Sequence, residues 1–165
     1  MCGRYCARTR PDRAEMKFAK LPFHLVAGLV AAIAFHGSGP VAVAAGATNV
    51  AKYEKKLEEL INQYRVRNDL PVLATDSTLA TLAREHSAAM AKENRLSHDE
   101  LPSRVLRSRF AMCVENVGWN YRTPEGQFDG WRTSPGHNHN LLERRVERIG
   151  IGIVEHYVTQ IACGK

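Results

Sequence analysis

A short stretch near the C-terminus places the tightest constraint on the fold. Three isoleucines alternate with two glycines over Ile149–Ile153, so a strand here carries its isoleucines on one face and its glycines on the other. A glycine face lets the backbone of a helix or loop approach closely. A second strand is predicted over Tyr157–Ala162, although the Glu155-His156 connection lacks the Gly or Asn that is typical of so tight a hairpin.

Helical periodicity precedes this pair of strands. Apolar residues recur at three- and four-residue steps within Asn49–Arg67, and a second helix begins at Asp76 or Ser77, both favourable N-caps. The remaining predicted elements are a short helix over Pro102–Phe110, a buried strand over Cys113–Trp119 and a helix that begins at Thr123-Pro124-Glu125. Helices before and between strands, closed by an antiparallel pair, predict an α+β layered domain.

The first quarter of the chain has the features of a signal peptide. Lys17 and Lys20 provide a basic start, an apolar run follows over Leu25–Phe35, and Ala42-Val43-Ala44 is a small-residue cleavage site. A membrane anchor is the alternative, but spanning a bilayer takes roughly twenty apolar residues. The predicted parts are an upstream extension of unassigned use at residues 1–15, a signal peptide at residues 16–44 and a single domain at residues 45–165.

The distribution of charge argues against nucleic acid as a partner. The chain has 23 basic and 17 acidic residues, of which residues 1–44 contain six and two, so the predicted mature part is nearly neutral. Arginines also cluster around Arg104–Arg109 and Arg144–Arg148, where they could contact an anionic envelope polymer. Glutamates are interleaved with the second cluster, which is typical of a solvated, salt-bridged face. We expect no nucleic-acid partner and, after cleavage, no stable membrane span.

Two of the four cysteines, Cys113 and Cys163, lie in the predicted mature part. An even number of cysteines in an exported chain favours a disulfide, which would contribute on the order of 4 kcal/mol by closing a loop of this size. Two unpaired, buried thiols are the alternative. A nucleophilic Cys113 with His137 as its base is a weaker one, because an exported thiol with one available partner is better explained as half of a disulfide.

A cluster of polar groups is predicted around the turn Ser134–Asn140, which contains a Pro-Gly pair and two histidines. Upstream, His98 and Glu115 lie beside apolar residues and could converge on this turn. Two imidazoles and a carboxylate suit a divalent metal such as zinc. His139 shares a face with His137 only on an extended segment, which makes it a weak third ligand.

Other catalytic patterns fit this chain less well. His86 lies on the apolar stripe of the second helix, where a histidine is more often a hydrogen-bonded core residue than a ligand. It lacks the second histidine of the metalloprotease pattern His-Glu-x-x-His. Ser134 lacks the Gly-x-Ser-x-Gly elbow of a serine hydrolase. We therefore leave His86 out of the predicted site and do not assign Ser134 as a nucleophile.

Seven motifs follow one another in a characteristic order. They are Leu60-Ile61-Asn62-Gln63-Tyr64-Arg65, Asp69-Leu70-Pro71-Val72-Leu73, Ala83-Arg84-Glu85-His86-Ser87, Leu96-Ser97-His98, Glu115-Asn116-Val117, Trp131-x-x-Ser134-Pro135-Gly136-His137 and Ile149-Gly150-Ile151-Gly152. In this order the chain resembles, over about residues 57–163, the CAP superfamily of cysteine-rich secretory proteins, antigen 5 and pathogenesis-related proteins, also called SCP domains, in its bacterial form. The resemblance implies an exported three-layer α-β-α sandwich with a central antiparallel sheet, and a cleft that holds two histidines and two acids.

The family's tetrad is carried over by position. His98 and His137 match its histidines and Glu115 matches one acid, while the second acid of eukaryotic members falls at Ser134, as in many bacterial members. This departure puts in doubt any mechanism that needs two carboxylates. A second departure is Asn138, which stands where the family usually has a basic residue.

The resemblance implies a binding or interaction module that acts outside the cytoplasmic membrane. Its predicted cleft residues are His98, Glu115, Ser134 and His137, with His98 and His137 as the metal ligands. Members of the family have been linked to zinc binding, to sterol or fatty-acid binding and to protease activity, so zinc is the candidate cofactor and a lipid, a sterol or a cell-envelope polymer the candidate partner. The alternatives are a metal-dependent, peptidase-like hydrolase that uses His98, His137 and Glu115, and a purely structural pairing of His98 with Glu115.

Overall fold

The computed structural model describes residues 41–165, and side-chain environments from residue 49 onward. The predicted upstream extension and most of the predicted signal peptide lie outside these residues. The first described helix begins at Val41, so the predicted cleavage site after Ala44 falls inside it. That boundary stays a prediction.

Five helices and four strands make up the described part of the chain. In chain order they are α1 (Val41–Val66), β1 (Ala74–Thr75), α2 (Ser77–Glu93), α3 (Leu101–Ser108), β2 (Met112–Trp119), α4 (Pro124–Arg132), α5 (Pro135–Leu141), β3 (Arg148–Val154) and β4 (Tyr157–Gly164). None of the described helices is both long and apolar enough to cross a membrane.

The four strands form one sheet in the order β1-β3-β4-β2. The three long strands are antiparallel, as predicted, whereas the two-residue β1 pairs with β3 in parallel, which makes the sheet mixed. β2 lies at an edge of the sheet. Its register against β4 places Cys113 opposite Cys163 and Asn116 opposite Gln160.

The glycine face of β3 receives α2, as the sequence predicted. A Cβ atom on Gly150 would lie 2.1 Å from the backbone nitrogen of Ala80, and one on Gly152 would lie 2.1 Å from that of Arg84. These distances are far below van der Waals contact, so only glycine allows the helix to lie this close to the strand. Helices α2 and α3 form the layer on this face of the sheet.

The isoleucine face of β3 is covered by α1, α4 and α5. Its isoleucines belong to one large buried cluster, together with Leu57 and Ile61 of α1, Trp131 of α4 and Leu141 of α5. With helices on both faces of the sheet, the fold is the predicted three-layer α-β-α sandwich.

Two predicted helix starts are confirmed by their caps. The Asp76 carboxylate accepts a hydrogen bond from the backbone N–H of Leu79 at 2.9 Å, and the Thr123 hydroxyl accepts one from Gly126 at 3.1 Å. The two-residue hairpin between β3 and β4 also forms, because Glu155 adopts a φ of 54°, in the left-handed region.

The predicted turn Ser134–Asn140 is wrong, because this segment forms the helix α5. Ser134 is its N-cap and Pro135 occupies its first turn, a position that proline favours because no N–H is lost there. On a helix, residues two apart point in different directions. His139 is accordingly exposed, whereas His137 is half-buried.

Cys113 and Cys163 form the predicted disulfide. They are direct partners across β2 and β4, with their Cα atoms 4.1 Å apart. The alternatives of two free thiols and of a nucleophilic Cys113 are therefore wrong. The bond ties the edge strand β2 to the centre of the sheet.

Candidate functional site

Glu115 is held by a buried arginine. Arg104 Nε donates to Glu115 Oε2 at 2.7 Å, and Arg104 Nη2 donates to Glu115 Oε1 at 2.8 Å. The Glu115 side chain is fully buried and that of Arg104 is nearly so, which makes this a two-point, charge-assisted pair shielded from water. Arg104 also donates to the backbone oxygen of Asp99 at 2.6 Å. It thereby links α3, β2 and the loop that carries His98.

Sequence reasoning missed this role of Arg104. From the sequence, Arg104 is grouped with its neighbouring arginines as a cluster that could contact an anionic polymer. Two signals could have identified it: a carboxylate in a buried strand requires a partner, and Arg104 and Ser108 are four residues apart on one face of a short helix. Both are buried in the structure.

His98 is oriented by the same carboxylate. Its Nδ1 lies 2.9 Å from Glu115 Oε1, and the paired carboxylate can only accept, so Nδ1 carries the hydrogen. The neutral ring then has its free lone pair on Nε2. Since the side chain is 50% exposed, the ring reaches solvent while one nitrogen stays fixed. Such a carboxylate–histidine pair sets the tautomer of histidines that bind metals.

His86 is the hydrogen-bonded core residue that we predicted, and it also supports the site. Its Nε2 donates to the backbone oxygen of Ser97 at 2.8 Å and lies 3.7 Å from Glu115 Oε1. Burial lowers the pKa of His86, an effect that the nearby Glu115 charge partly opposes. Since Ser97 immediately precedes His98, His86 fixes the loop on which His98 stands.

His137 is brought to the site by α5 and held there through its backbone. Asn116 Nδ2 donates to the His137 carbonyl at 3.2 Å. Asn140 Nδ2 lies 3.0 Å from both Asn116 Oδ1 and the Glu115 carbonyl. Burial lowers the pKa of the His137 ring, and so, to a smaller extent, does the positive charge of a protonated His98. His137 is therefore neutral at pH 7, and the two rings lie close enough to interact electrostatically.

Both histidines are attached to β2, His98 through Glu115 and His137 through Asn116. Helices α3 and α5 lie on different faces of the sheet, and both contact β2. Along the edge, Asn140 and the indole nitrogen of Trp131 donate to the outward carbonyls of Glu115 and Val117. These bonds satisfy an otherwise open strand edge and attach α4 and α5 to it.

Ser134 lies at the start of α5, where its hydroxyl makes no capping hydrogen bond. It stands three residues before His137 on the same segment and is half-buried. Its contribution to the cleft stays a prediction.

The donor set at this edge consists of two imidazoles. Within residues 41–165, no group of three or more His, Cys, Asp or Glu side chains is placed to hold a metal ion. A surface groove of about 440 Å³ runs along the C-terminal half of α1, and one of about 270 Å³ lies at the start of α2. Neither is lined by His98 or His137.

Comparison with known proteins identifies the family. The family model described as the cysteine-rich secretory protein family, CAP, matches residues 58–163, more than half of the chain. The chain belongs to the CAP family. The resemblance drawn from seven short motifs is thereby confirmed.

Two proteins of Bacillus subtilis (strain 168) are related to this CAP chain. YkwD is 33% identical over 115 residues, which cover 66% of this chain and 45% of YkwD. The membrane protein YlbC is 32% identical over 114 residues, which cover 65% of this chain and 33% of YlbC. The chain thus spans less than half the length of the curated relatives it matches.

Solved structures share the fold. An extracellular protein containing an SCP domain from Bacillus anthracis matches with a TM-score of 0.71 and 30% identity, over 78% of this chain and 45% of that protein. A cysteine-rich secretory protein from Staphylococcus aureus matches with a TM-score of 0.65 and 20% identity, over 70% of this chain and 39% of that one. The second likeness, at lower identity, shows the fold alone.

Proposed function

We propose that this CAP domain is an exported binding module whose site is formed by His98 and His137, with Glu115 as the group that orients His98. The observation that carries the proposal is that the Glu115 carboxylate is hydrogen-bonded to both Arg104 and His98. Both of its oxygens are occupied by Arg104, and one is shared with His98. A carboxylate held in this way fixes the orientation of a neighbouring ring.

The same contacts weigh against the hydrolase hypothesis. A general base must reach the proton that it abstracts, and both oxygens of Glu115 are already bonded to Arg104 inside the fold. The position of the second acid in the family's tetrad is occupied by Ser134 here, so this chain lacks the second carboxylate of the tetrad. Binding therefore fits the geometry better than turnover.

The two imidazoles fit a divalent metal such as zinc. His98 has Nε2 available because Nδ1 is bonded to Glu115, and His137 is neutral because burial lowers its pKa. Neutral imidazole is a preferred zinc ligand, and water or ligand atoms would complete the coordination. When bound, the metal would supply a positively charged position for an anionic or carbonyl group of a ligand.

Export is supported by the relatives and by the disulfide. The matched Bacillus anthracis protein is described as extracellular, and a structural neighbour from Borrelia burgdorferi as an outer surface protein. Disulfides persist in oxidising compartments outside the cytoplasm, which agrees with the Cys113–Cys163 bond. We propose a lipid, a sterol or a cell-envelope polymer as the partner, reached outside the cytoplasmic membrane.

Zinc titration by calorimetry tests the site. We expect saturable binding by the purified protein, lost in His98→Ala and in His137→Ala and kept in His139→Ala, a matched control because His139 is exposed on the same helix. Zinc binding that survives in both site variants would contradict the metal proposal. Peptide hydrolysis that requires Glu115, abolished in Glu115→Gln while zinc binding is kept, would restore the enzyme alternative.

A further inference from the structure

Two glutamines inside the fold have polar atoms without a partner. Gln127 of α4 is completely buried, yet neither Nε2 nor Oε1 of its side chain has a hydrogen bond. Gln160 of β4 is 1% exposed, and its Oε1 also has none. Buried amides are almost always hydrogen-bonded, because a polar group that loses its water and gains no other partner is destabilising. Three such atoms in two residues call for a physical explanation.

Both glutamines face the same side of the sheet. Val158 and Ala162 lie two residues before and after Gln160 and therefore share its face of β4. Both belong to the cluster beneath α1, α4 and α5. Gln127 lies over Gly118 of β2, because a Cβ atom on that glycine would be 2.2 Å from Gln127 Oε1. The two side chains therefore occupy the layer between the sheet and α4.

The strand register also places them close together. Asn116 is opposite Gln160, and Gly118 is opposite Val158, so Gly118 and Gln160 are diagonal neighbours on adjacent strands. Diagonal neighbours on one face are about 7–8 Å apart, a separation that one or two water molecules can bridge. The missing Cβ of Gly118 leaves room for a polar group against the strand.

The side-chain amide of Gln127 gains no partner by being flipped, and it cannot turn out into solvent. Exchanging the nitrogen and oxygen of Gln127 would change nothing, because both atoms lack partners. The side chain is also kept inside by its helix. Trp131, one turn further along α4, donates its indole N–H to the Val117 carbonyl at 2.9 Å, which fixes this face of α4 against β2.

We propose that Gln127 and Gln160 bind ordered water between α4 and the sheet. Water donates to the side-chain oxygens of both residues and accepts from Gln127 Nε2, which satisfies all three atoms and gives the water the two to four polar partners that internal water requires. The proposed water site is separate from the proposed metal site, since hydrogen bonds join His98 to Glu115 and His137 to Asn116. It forms a polar layer beside Asn116, the residue that holds the backbone of His137.

Nuclear magnetic resonance of the purified wild-type protein tests the proposal directly. We expect the side-chain amide protons of Gln127 to show cross-relaxation with water protons. Laboratory-frame and rotating-frame experiments, measured as a pair, should give this cross-relaxation the signs that are typical of a long-lived bound water molecule. The Gln127→Met variant assigns the signals by removing them. Amide protons that contact only carbon-bound protons, with no water signal, would overturn the proposal.

A double-mutant cycle tests the same point by stability. If water links the two amides, Gln127→Met and Gln160→Met should each lower the denaturant midpoint. The midpoint of the double variant should fall by less than the sum of the two single decreases. The reason is that the second substitution no longer leaves a bound water without a partner. Two fully additive effects, or midpoints at or above the wild-type value in both single variants, would overturn the proposal. Gln63→Met is the matched control, because Gln63 is exposed on α1 and its replacement should leave the midpoint unchanged.

Discussion

Glu115 and Asn116 are consecutive residues of β2, and each secures one of the two histidines of the proposed site. The Glu115 carboxylate bonds the ring of His98 at 2.9 Å, whereas the Asn116 amide bonds the backbone carbonyl of His137 at 3.2 Å. Neighbouring side chains on a strand point to opposite faces, so one strand holds residues from two different layers. A one-residue shift in the register of β2 would exchange the two faces and dismantle the site.

Removing Arg104 should destabilise the protein strongly. Arg104→Met leaves the Glu115 carboxylate buried without its main partner, and breaking a buried pair in this way costs about 3–5 kcal/mol. Urea unfolding followed by circular dichroism measures the loss. Arg107→Met is the control, because Arg107 lies on α3 like Arg104 but forms a half-exposed ion pair with Glu85 of α2 at 2.7 Å. Its replacement should cost less than about 1 kcal/mol. Equal losses in the two variants would contradict the role given to Arg104.

Asn116→Ala should lower both stability and zinc affinity. The change removes the bond to His137 and leaves the Asn140 amide with one acceptor fewer, in a place where Asn116 is fully buried. We expect a loss of about 1–3 kcal/mol in unfolding free energy and weaker zinc binding by calorimetry. Asn68→Ala is the control, because Asn68 is exposed and bonds only the Tyr64 carbonyl at 2.8 Å. Unchanged zinc affinity in a folded Asn116→Ala variant would show that His137 does not need this support.

The stability of the metal-free protein should fall as the solution becomes acidic below pH 6.5. Burial lowers the pKa of both His86 and His137 below the ordinary value of 6.5. Well above pH 6.5 both rings are neutral in the folded and unfolded states and contribute no slope. Below it, the unfolded chain binds protons that the folded protein resists, so unfolding is favoured until the folded-state pKa is passed.

Denaturant midpoints measured in the presence of a chelator between pH 7.5 and pH 5 would show this slope. His86→Gln keeps a donor for the Ser97 carbonyl and removes the titrating ring, so its midpoint should depend less on pH than that of the wild type. An identical slope in the variant would exclude His86 as a source of the acid sensitivity.

Reducing the disulfide should lower the melting temperature. Cys113 and Cys163 are 50 residues apart in the chain, and a cross-link that closes such a loop contributes on the order of 4 kcal/mol by restricting the unfolded state. Thermal unfolding with and without reductant measures the effect. A Cys113→Ala/Cys163→Ala double variant should melt at the lower temperature in both conditions. A reductant effect that persists in the double variant would assign it to other cysteines.

Local patterns in the sequence predicted much of the fold. The caps at Asp76 and Thr123 and the strand over Cys113–Trp119 depend on residues that are close in the chain, and all three appear in the structure. The alternation of isoleucine and glycine in β3 predicted both a core face and the close approach of a helix. The family resemblance added the sandwich architecture and pointed to His98, Glu115 and His137.

The helix α5 shows where local reasoning was insufficient. Ser134-Pro135 has the same cap-and-proline arrangement as Thr123-Pro124, but Gly136 follows at once and favours a turn. Contacts elsewhere in the fold stabilise the helix. Leu141 is buried in the main core, and the side chain of Asn138 accepts a hydrogen bond from the Tyr64 hydroxyl at 3.0 Å.

The sequence by itself determined most of the elements, the family and the residue types at the proposed site, because periodicity, capping and motif order are properties of neighbouring residues. Only the tertiary structure decided how those residues act. The contacts of Glu115 with Arg104 and of Asn116 with His137 join residues 11 and 21 positions apart, and they depend on which helix lies against the edge of β2. Whether Glu115 is free to react or instead orients His98 is set by these partners, since both of its oxygens are bonded to Arg104 and one of them also to His98.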